Sequence, residues 1–139
     1  MSYDEKSTVA YLLAVAGAYA TYLAIIGSRL QGSSVAEVSY AWVLLWTTLG
    51  SAVLSTFLRT LLETASPSET RRRDVRDKEI YRFGEYVSRW FVVGGATAAF
   101  ALALAKADYF WIANVIYFGF VMWAIAGSAV KLVAYRRGF

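Results

Sequence analysis

The stretch STVAYLLAVAGAYATYLAIIGS, residues Ser7–Ser28, decides the fold because its 22 residues include no Asp, Glu, Lys, Arg or His. Three more charge-free stretches follow it, at Val38–Leu58, Trp90–Ala105 and Tyr109–Val130. A bilayer core is roughly 30 Å thick, and about 20 apolar residues in an α-helix cross it. The sequence therefore predicts an all-α integral membrane protein with four spans packed as a bundle.

The chain is predicted to form a single membrane domain, residues 1–139, because its length leaves no room for a separate soluble module. The spans are expected at about residues 7–28, 38–60, 88–106 and 109–132, with a loop at residues 63–87. The first span is longer than the apolar core of a signal peptide, so we expect it to be retained.

The chain contains no cysteine and no histidine. It therefore lacks a thiolate nucleophile, the usual general base and the commonest metal ligand. Zinc sites, haem with a histidine axial ligand and Ser-His chemistry are excluded, and no phosphate-loop motif is present. We expect no catalytic residue, no metal and no cofactor, and predict that the protein is not an enzyme.

Positive charge is concentrated on one side of the predicted membrane. With four spans, both termini and the central loop share that side, which carries twelve of the fourteen Lys and Arg residues. The other side carries Arg29 and Lys106. Short loops rich in Lys and Arg stay in the cytoplasm, so we expect a multi-pass protein of the inner (plasma) membrane with both termini cytoplasmic.

The third stretch has 16 residues, which cover about 24 Å as a helix and fall short of the hydrocarbon thickness. Before it, Ile80, Phe83, Val87 and Trp90 recur at helical spacing and form one apolar stripe. The pattern predicts an amphipathic cytoplasmic helix that continues into the third span. Lys106-Ala107-Asp108 then forms a tight turn between the third and fourth spans.

Small residues recur along two spans at alternating spacings of three and four. In the first span they are Ala10, Ala14, Gly17, Thr21, Ala24 and Ser28, and in the third they are Gly94, Ala98, Ala101 and Ala105. The pattern predicts that spans 1 and 3 are the closely packed members, with span 3 at the packing centre.

The central loop carries the candidate contact residues for lipid or for a partner. They are Arg71, Arg72, Arg73, Asp74, Arg76, Asp77, Lys78, Arg82 and Arg89. Basic residues near a bilayer attract anionic headgroups, although the same charges can serve only to set the orientation. Nucleic acid is not an expected partner, because the interleaved carboxylates dilute the basic cluster.

A resemblance appears at Asp74-Val75-Arg76-Asp77, followed by Ile80, Gly84 and Tyr86. This segment resembles the D-E-R-D-x-x-I-x-x-x-G pattern of small prokaryotic four-span membrane proteins of unknown function. The pattern often has Glu where this chain has Val75. The resemblance implies the four-span fold with the motif between spans 2 and 3, and it implies no biochemical activity.

The four charge-free stretches contain hydroxyls and one amide but no ionisable group of the kind that marks a proton path. Ser51, Ser55 and Asn114 are the candidates for a polar path, and interhelical hydrogen bonding is the alternative explanation for them. We therefore expect a non-enzymatic module that forms homo-oligomers or binds a membrane-protein partner through its charged loop. The alternative is a small channel or transporter with its path at an oligomer interface.

Overall fold

The computed structural model describes residues 2–67 and 75–138. Four long helices account for most of them: α1 (Tyr3–Leu30), α2 (Ala41–Ala65), α3 (Val75–Leu104) and α4 (Tyr109–Arg137). A short 3-10 helix, Val35–Glu37, lies between α1 and α2. All four long helices have the length and apolar composition of membrane spans. The predicted all-α four-helix membrane bundle is confirmed.

The third helix explains how a short charge-free stretch can still belong to a full span. Helix α3 has 30 residues and is unbroken from Val75, so the charged segment and the apolar stretch form one continuous rod. At 1.5 Å per residue the rod is about 45 Å long. The predicted amphipathic helix running into the third span is therefore present.

The connections between helices are short and locally determined. Helix α4 begins after Asp108, whose side chain accepts a hydrogen bond from the backbone N–H of Phe110 at 3.4 Å. Just before it, Lys106 has a φ of 55°, in the left-handed region that non-glycine residues rarely adopt. The predicted turn between spans 3 and 4 is thus a tight reversal that makes α3 and α4 an antiparallel hairpin.

The helices pack in the order α2, α1, α4, α3. The α3–α4 interface is the most extensive, followed by α1–α2 and then by α1–α4. In the described part of the chain, α2 and α3 meet at most marginally. The bundle therefore has a cleft between α2 and α3, with α1 and α4 behind it.

Helix α4, and not the third span, is the packing centre. It buries the most residues, including Phe110, Tyr117, Val121 and Ala124, whereas α2 buries none. The main apolar cluster joins α4 to α1 through Tyr22 and the residues around it. Large interlocking side chains, and not a seam of small residues, thus hold α1 against α4.

The predicted seams correspond only in part to the observed contacts. Gly94, Ala98, Ala101 and Ala105 are exposed, and the neighbouring row on α3 makes the contact with α4 instead. A Cβ atom on Gly95 would lie 3.0 Å from the Cα atom of Gly119, so the two backbones touch. On α1 only Ala14 of the predicted row is buried. Small residues facing lipid cost a membrane helix little, so the repeat alone did not identify the contact face.

Candidate functional site

The bundle has two ends, which hold different connections and helix ends. The hairpin end holds the connections at residues 31–40 and 105–108. The terminal end holds the start of α1, the last turn of α2, the first half of α3 and the end of α4.

Asn114 lies toward the hairpin end, where it is fully engaged. Its Nδ2 atom donates to the carbonyl oxygen of Phe110 at 2.8 Å, and its Oδ1 atom accepts from the Tyr22 hydroxyl at 2.7 Å. Tyr22 in turn packs edge-on against Tyr117, with ring centroids 5.1 Å apart. The only amide of the spans therefore cross-links α1 to α4.

A row of hydroxyls runs along one side of α2. Thr47, Ser51 and Ser55 follow at intervals of four residues, and each is half-buried. Their hydroxyls donate to the carbonyl oxygens of Val43, Thr48 and Ala52 at 2.8, 2.8 and 3.0 Å. Because each hydroxyl has a partner within its own helix, the row carries no unsatisfied polar hydrogen.

The row nevertheless faces the other helices of the same chain. The Thr47 hydroxyl lies 3.2 Å from the phenol oxygen of Tyr117 on α4. Ser51 lines a shallow cavity against Gly17 of α1, and Ser55 lines the cleft at the terminal end. The predicted path residues thus lie beside neighbouring helices of the same chain, and the oligomer interface that the sequence suggested for them stays a prediction.

The cleft between α2 and α3 encloses about 330 Å³ at the terminal end. We call this space the polar cleft, because hydroxyls and charged groups from all four helices line it. Its lining residues are Asp4, Ser7, Thr8, Tyr11, Ser55, Thr56, Arg59, Tyr81, Glu85, Trp123, Ala124, Gly127, Ser128 and Lys131. A second cavity of about 360 Å³ shares Asp4, Thr8, Arg59, Tyr81 and Lys131 with it and adds Asp77, Lys78, Arg82 and Tyr135.

Lys131 is held inside the polar cleft by α3. Its Nζ atom donates to Oε1 of Glu85 at 2.7 Å and lies 4.1 Å from the centre of the Tyr81 ring. Only 13% of the side chain is exposed, so it does not extend to the headgroups as an end-of-helix lysine commonly does. Its charge is therefore balanced within the bundle.

Gly84 provides the space that Lys131 occupies. A Cβ atom at position 84 would lie 2.6 Å from Cγ of Lys131 and 3.1 Å from the carbonyl oxygen of Gly127. One turn later, Ser88 is buried against Gly127 and donates to the carbonyl oxygen of Gly84 at 2.7 Å. Sequence reasoning missed this arrangement, although Gly84-x-x-x-Ser88 and Gly127-x-x-x-Lys131 have the matching four-residue spacing that could have indicated it.

Arg59 lies on the opposite wall of the polar cleft. Its Nε atom is 3.4 Å from Oε1 of Glu63, which also accepts the Tyr3 hydroxyl at 2.8 Å. The Tyr3–Glu63 hydrogen bond joins the first turn of α1 to the last turns of α2.

A further concave region, widely open, lies on the outer side of α3 and has a volume of about 930 Å³. We call it the outer groove. Its lining residues are Tyr81, Arg82, Phe83, Glu85, Tyr86, Arg89, Val92, Val93, Phe120 and Trp123. Basic and aromatic residues line the part near the terminal end, whereas aliphatic and aromatic residues line the part within the charge-free stretches.

The basic residues of α3 are exposed, and their contacts with neighbouring groups differ. Arg89 places its guanidinium 4.4 Å from the centre of the Tyr86 ring, and its Nε atom donates to the Tyr86 carbonyl oxygen at 3.4 Å. Arg76, Lys78, Arg82 and Arg89 are exposed and form no ion pair with any residue in the ranges 2–67 and 75–138. We call these four residues the charged surface.

The predicted contact residues are therefore divided among several places. Arg71, Arg72, Arg73 and Asp74 lie outside the described residues. Asp77 is half-buried and lines the second cavity together with Lys78 and Arg82, while all four cations of the charged surface are exposed. Across residues 2–67 and 75–138, no group of three or more acidic, histidine or cysteine residues is arranged to hold a metal ion.

Comparison of the chain with protein-family models, with curated proteins and with solved structures finds no match in any of the three. The resemblance of residues 74–86 to small prokaryotic four-span proteins stays a prediction. Function must therefore be inferred from the site itself.

Proposed function

We propose that this protein is a non-enzymatic module of the inner membrane that forms oligomers or binds a membrane partner through its charged surface. The observation that carries the proposal is the contrast between compensated and uncompensated cations. Lys131 is paired with Glu85 inside the bundle, and Arg59 is paired with Glu63 at an exposed position on α2. The four cations of the charged surface are exposed and unpaired within the described part of the chain, so their charge is available to an external anionic group.

The orientation of the charged surface follows from the distribution of positive residues. In the sequence, twelve of the fourteen Lys and Arg residues belong to the two terminal segments and to the segment around the α2–α3 connection, and segments so rich in positive charge stay in the cytoplasm. The cytoplasmic leaflet also carries the anionic lipids. The charged surface would then meet anionic headgroups or a cytoplasmic segment of a partner.

Helix α2 leaves a large apolar surface available for assembly within the membrane. No residue of α2 is buried, and large side chains such as Trp42, Trp46, Val53 and Phe57 are more than half exposed. Lipid provides no hydrophobic force for association, so assembly needs polar or tightly packed contacts in addition. The charged surface provides the polar contacts.

Crosslinking of the full chain in native membranes tests this proposal. The wild-type protein should give a discrete crosslinked oligomer or partner complex. Arg76→Gln combined with Lys78→Gln should reduce that product, because both side chains belong to the charged surface and neither lines the outer groove. Arg136→Gln combined with Arg137→Gln removes the same charge from exposed positions at the same end and should not. Only monomer in the wild type, or equal loss in both variants, contradicts the proposal.

A small channel or transporter is the second candidate, favoured by the hydroxyl row of α2. From Ser55 in the polar cleft, the row leads through Ser51 to Thr47, whose hydroxyl lies 3.2 Å from that of Tyr117. Beyond Tyr117, the Tyr22 hydroxyl contacts Asn114. Polar groups therefore recur from the terminal end toward the hairpin end within one chain.

Flux measurements in liposomes test the second candidate. Purified protein should carry protons, potassium or chloride down a gradient, and Asn114→Leu should abolish the flux. Thr48→Val is the matched control, because Thr48 is exposed and lies outside the row. Silent liposomes for all three ions, or equal flux in the Asn114 variant, count against transport.

A further inference from the structure

We propose that the outer groove binds one glycerophospholipid with a net negative headgroup, its phosphate against Arg82 and Arg89 and one acyl chain along Val92, Val93 and Phe120. This proposal rests on the proposed function, because it takes two residues of the charged surface as a contact site. It adds the chemical class of the ligand and the place where it binds.

The outer groove is charged at one end and apolar at the other, as a phospholipid is. Arg82, Tyr86, Arg89 and Val93 recur at spacings of four, three and four, so they lie on one face of α3. Arg89 immediately precedes the charge-free stretch that begins at Trp90. Its guanidinium therefore lies at the level of the headgroups, while Val92, Val93 and Phe120 lie at the level of the acyl chains.

The arginines are suited to a phosphate. A guanidinium presents a planar fork of donors that matches phosphate oxygens, and two such forks near one groove favour an anion over a neutral group. Stacking on Tyr86 holds the Arg89 side chain in place, while the bond from Nε leaves its terminal amino groups for a ligand. Arg82 forms no ion pair within the described ranges.

The single carboxylate among the lining residues does not oppose an anion. Glu85 directs Oε1 to the Lys131 ammonium at 2.7 Å, so its negative charge is compensated from the other side of α3. The Lys131–Glu85 pair thereby leaves the groove with a net positive charge. The Lys131–Glu85 pair inside the bundle thus affects the charge of the outer groove.

The groove also has room for an acyl chain. It is an open groove with a volume of about 930 Å³, so an acyl chain can lie along it. Phe120 is 51% exposed and Val93 is 49% exposed, so both offer apolar surface. A soluble anion would leave this apolar half uncovered, whereas a phospholipid covers both halves.

Native mass spectrometry of the full chain in non-ionic detergent tests the proposal. Phosphatidylglycerol and phosphatidylcholine with identical acyl chains are the probes. We expect one phosphatidylglycerol molecule per chain, bound about tenfold more tightly than phosphatidylcholine. Arg82→Gln combined with Arg89→Gln should abolish the preference, and Arg136→Gln combined with Arg137→Gln, which removes the same charge outside the groove, should preserve it.

A second variant tests the acyl-chain half of the groove. Val93→Trp adds bulk at an exposed position and should lower occupancy by phosphatidylglycerol while both arginines are present. Equal binding of the two lipids, equal effects of the two arginine pairs, or unchanged occupancy in the Val93 variant overturns the proposal. Because the spectra count subunits and lipids separately, an oligomer without lipid preference overturns the groove alone. A lipid-selective monomer that also gives no crosslinked partner complex in native membranes overturns assembly alone.

Discussion

The ammonium of Lys131 lies 2.7 Å from the carboxylate of Glu85 and joins α4 to α3 over the space left by Gly84. The pair separates two regions of different charge. On its inner side lies the polar cleft, where cations are balanced. On its outer side lies the outer groove, where Arg82 and Arg89 form no ion pair with any residue that the structure describes.

Breaking this pair should destabilise the protein in a way that a second substitution corrects. Lys131→Met leaves a half-buried carboxylate without its cation and should lower the free energy of unfolding by roughly 1–2 kcal/mol. Adding Glu85→Gln removes the stranded charge and should recover part of the loss. Thermal melting of the two single variants and the double variant in detergent measures this coupling. Strictly additive effects would show that the pair contributes nothing.

The contact between α3 and α4 should tolerate no side chain at Gly95. A Cβ atom there meets the backbone of Gly119 at 3.0 Å, so Gly95→Ala must separate the helices and should cost about 1–3 kcal/mol of stability. The adjacent Gly94 provides the control, because a Cβ atom at Gly94 meets nothing within 4 Å. Gly94→Ala should leave the melting temperature unchanged or raise it, since alanine favours helix by up to about 1 kcal/mol over glycine. Equal effects at the two positions would contradict the observed packing.

The Tyr22–Asn114 hydrogen bond should contribute to stability near the hairpin end. Tyr22→Phe removes the donor and leaves Oδ1 of Asn114 without it, which should cost about 1 kcal/mol. Tyr109→Phe removes an equivalent hydroxyl from a residue that is 81% exposed and should have no effect. Melting curves of the two variants provide the comparison, and a wild-type value for Tyr22→Phe would argue against the cross-link.

The orientation of the bundle can be measured without background labelling, because the chain has no cysteine. Ser33→Cys and Ala107→Cys at the hairpin end should react with a membrane-impermeant maleimide added to intact cells. Ser66→Cys and Gly138→Cys at the terminal end should react only after permeabilisation. The reverse labelling pattern would place both termini outside the cytoplasm and remove the charged surface from the anionic leaflet.

The four helices could be predicted from the sequence because lipid allows no charge to remain unpaired across a span, so charge-free stretches mark the spans directly. The continuation of α3 from its charged segment could also be predicted, since the Ile80–Trp90 stripe has helical spacing. The packing centre could not be predicted from the sequence. Helix α4 is apolar on all sides, and in a bilayer a face that meets lipid and a face that meets protein have similar composition.

The sequence identified some residues of the site, but their arrangement in space could not be predicted. Arg82 and Arg89 were expected to contact lipid or a partner, and they line the outer groove. The sequence did not reveal that Lys131 turns inward, because this depends on the space at Gly84, and Gly84 comes opposite Lys131 only when α3 and α4 pack in this register.

The most direct measurement of the central claim, that the charged surface and its groove are where this protein binds, is a high-resolution structure of the full chain extracted with its native lipids. We expect elongated density along Val93 and Phe120 that ends in a headgroup at Arg82 and Arg89, with the polar cleft closed off from the hairpin end. An empty outer groove, together with a continuous water-filled path from Ser55 past Ser51 to Asn114, would contradict this claim and favour transport.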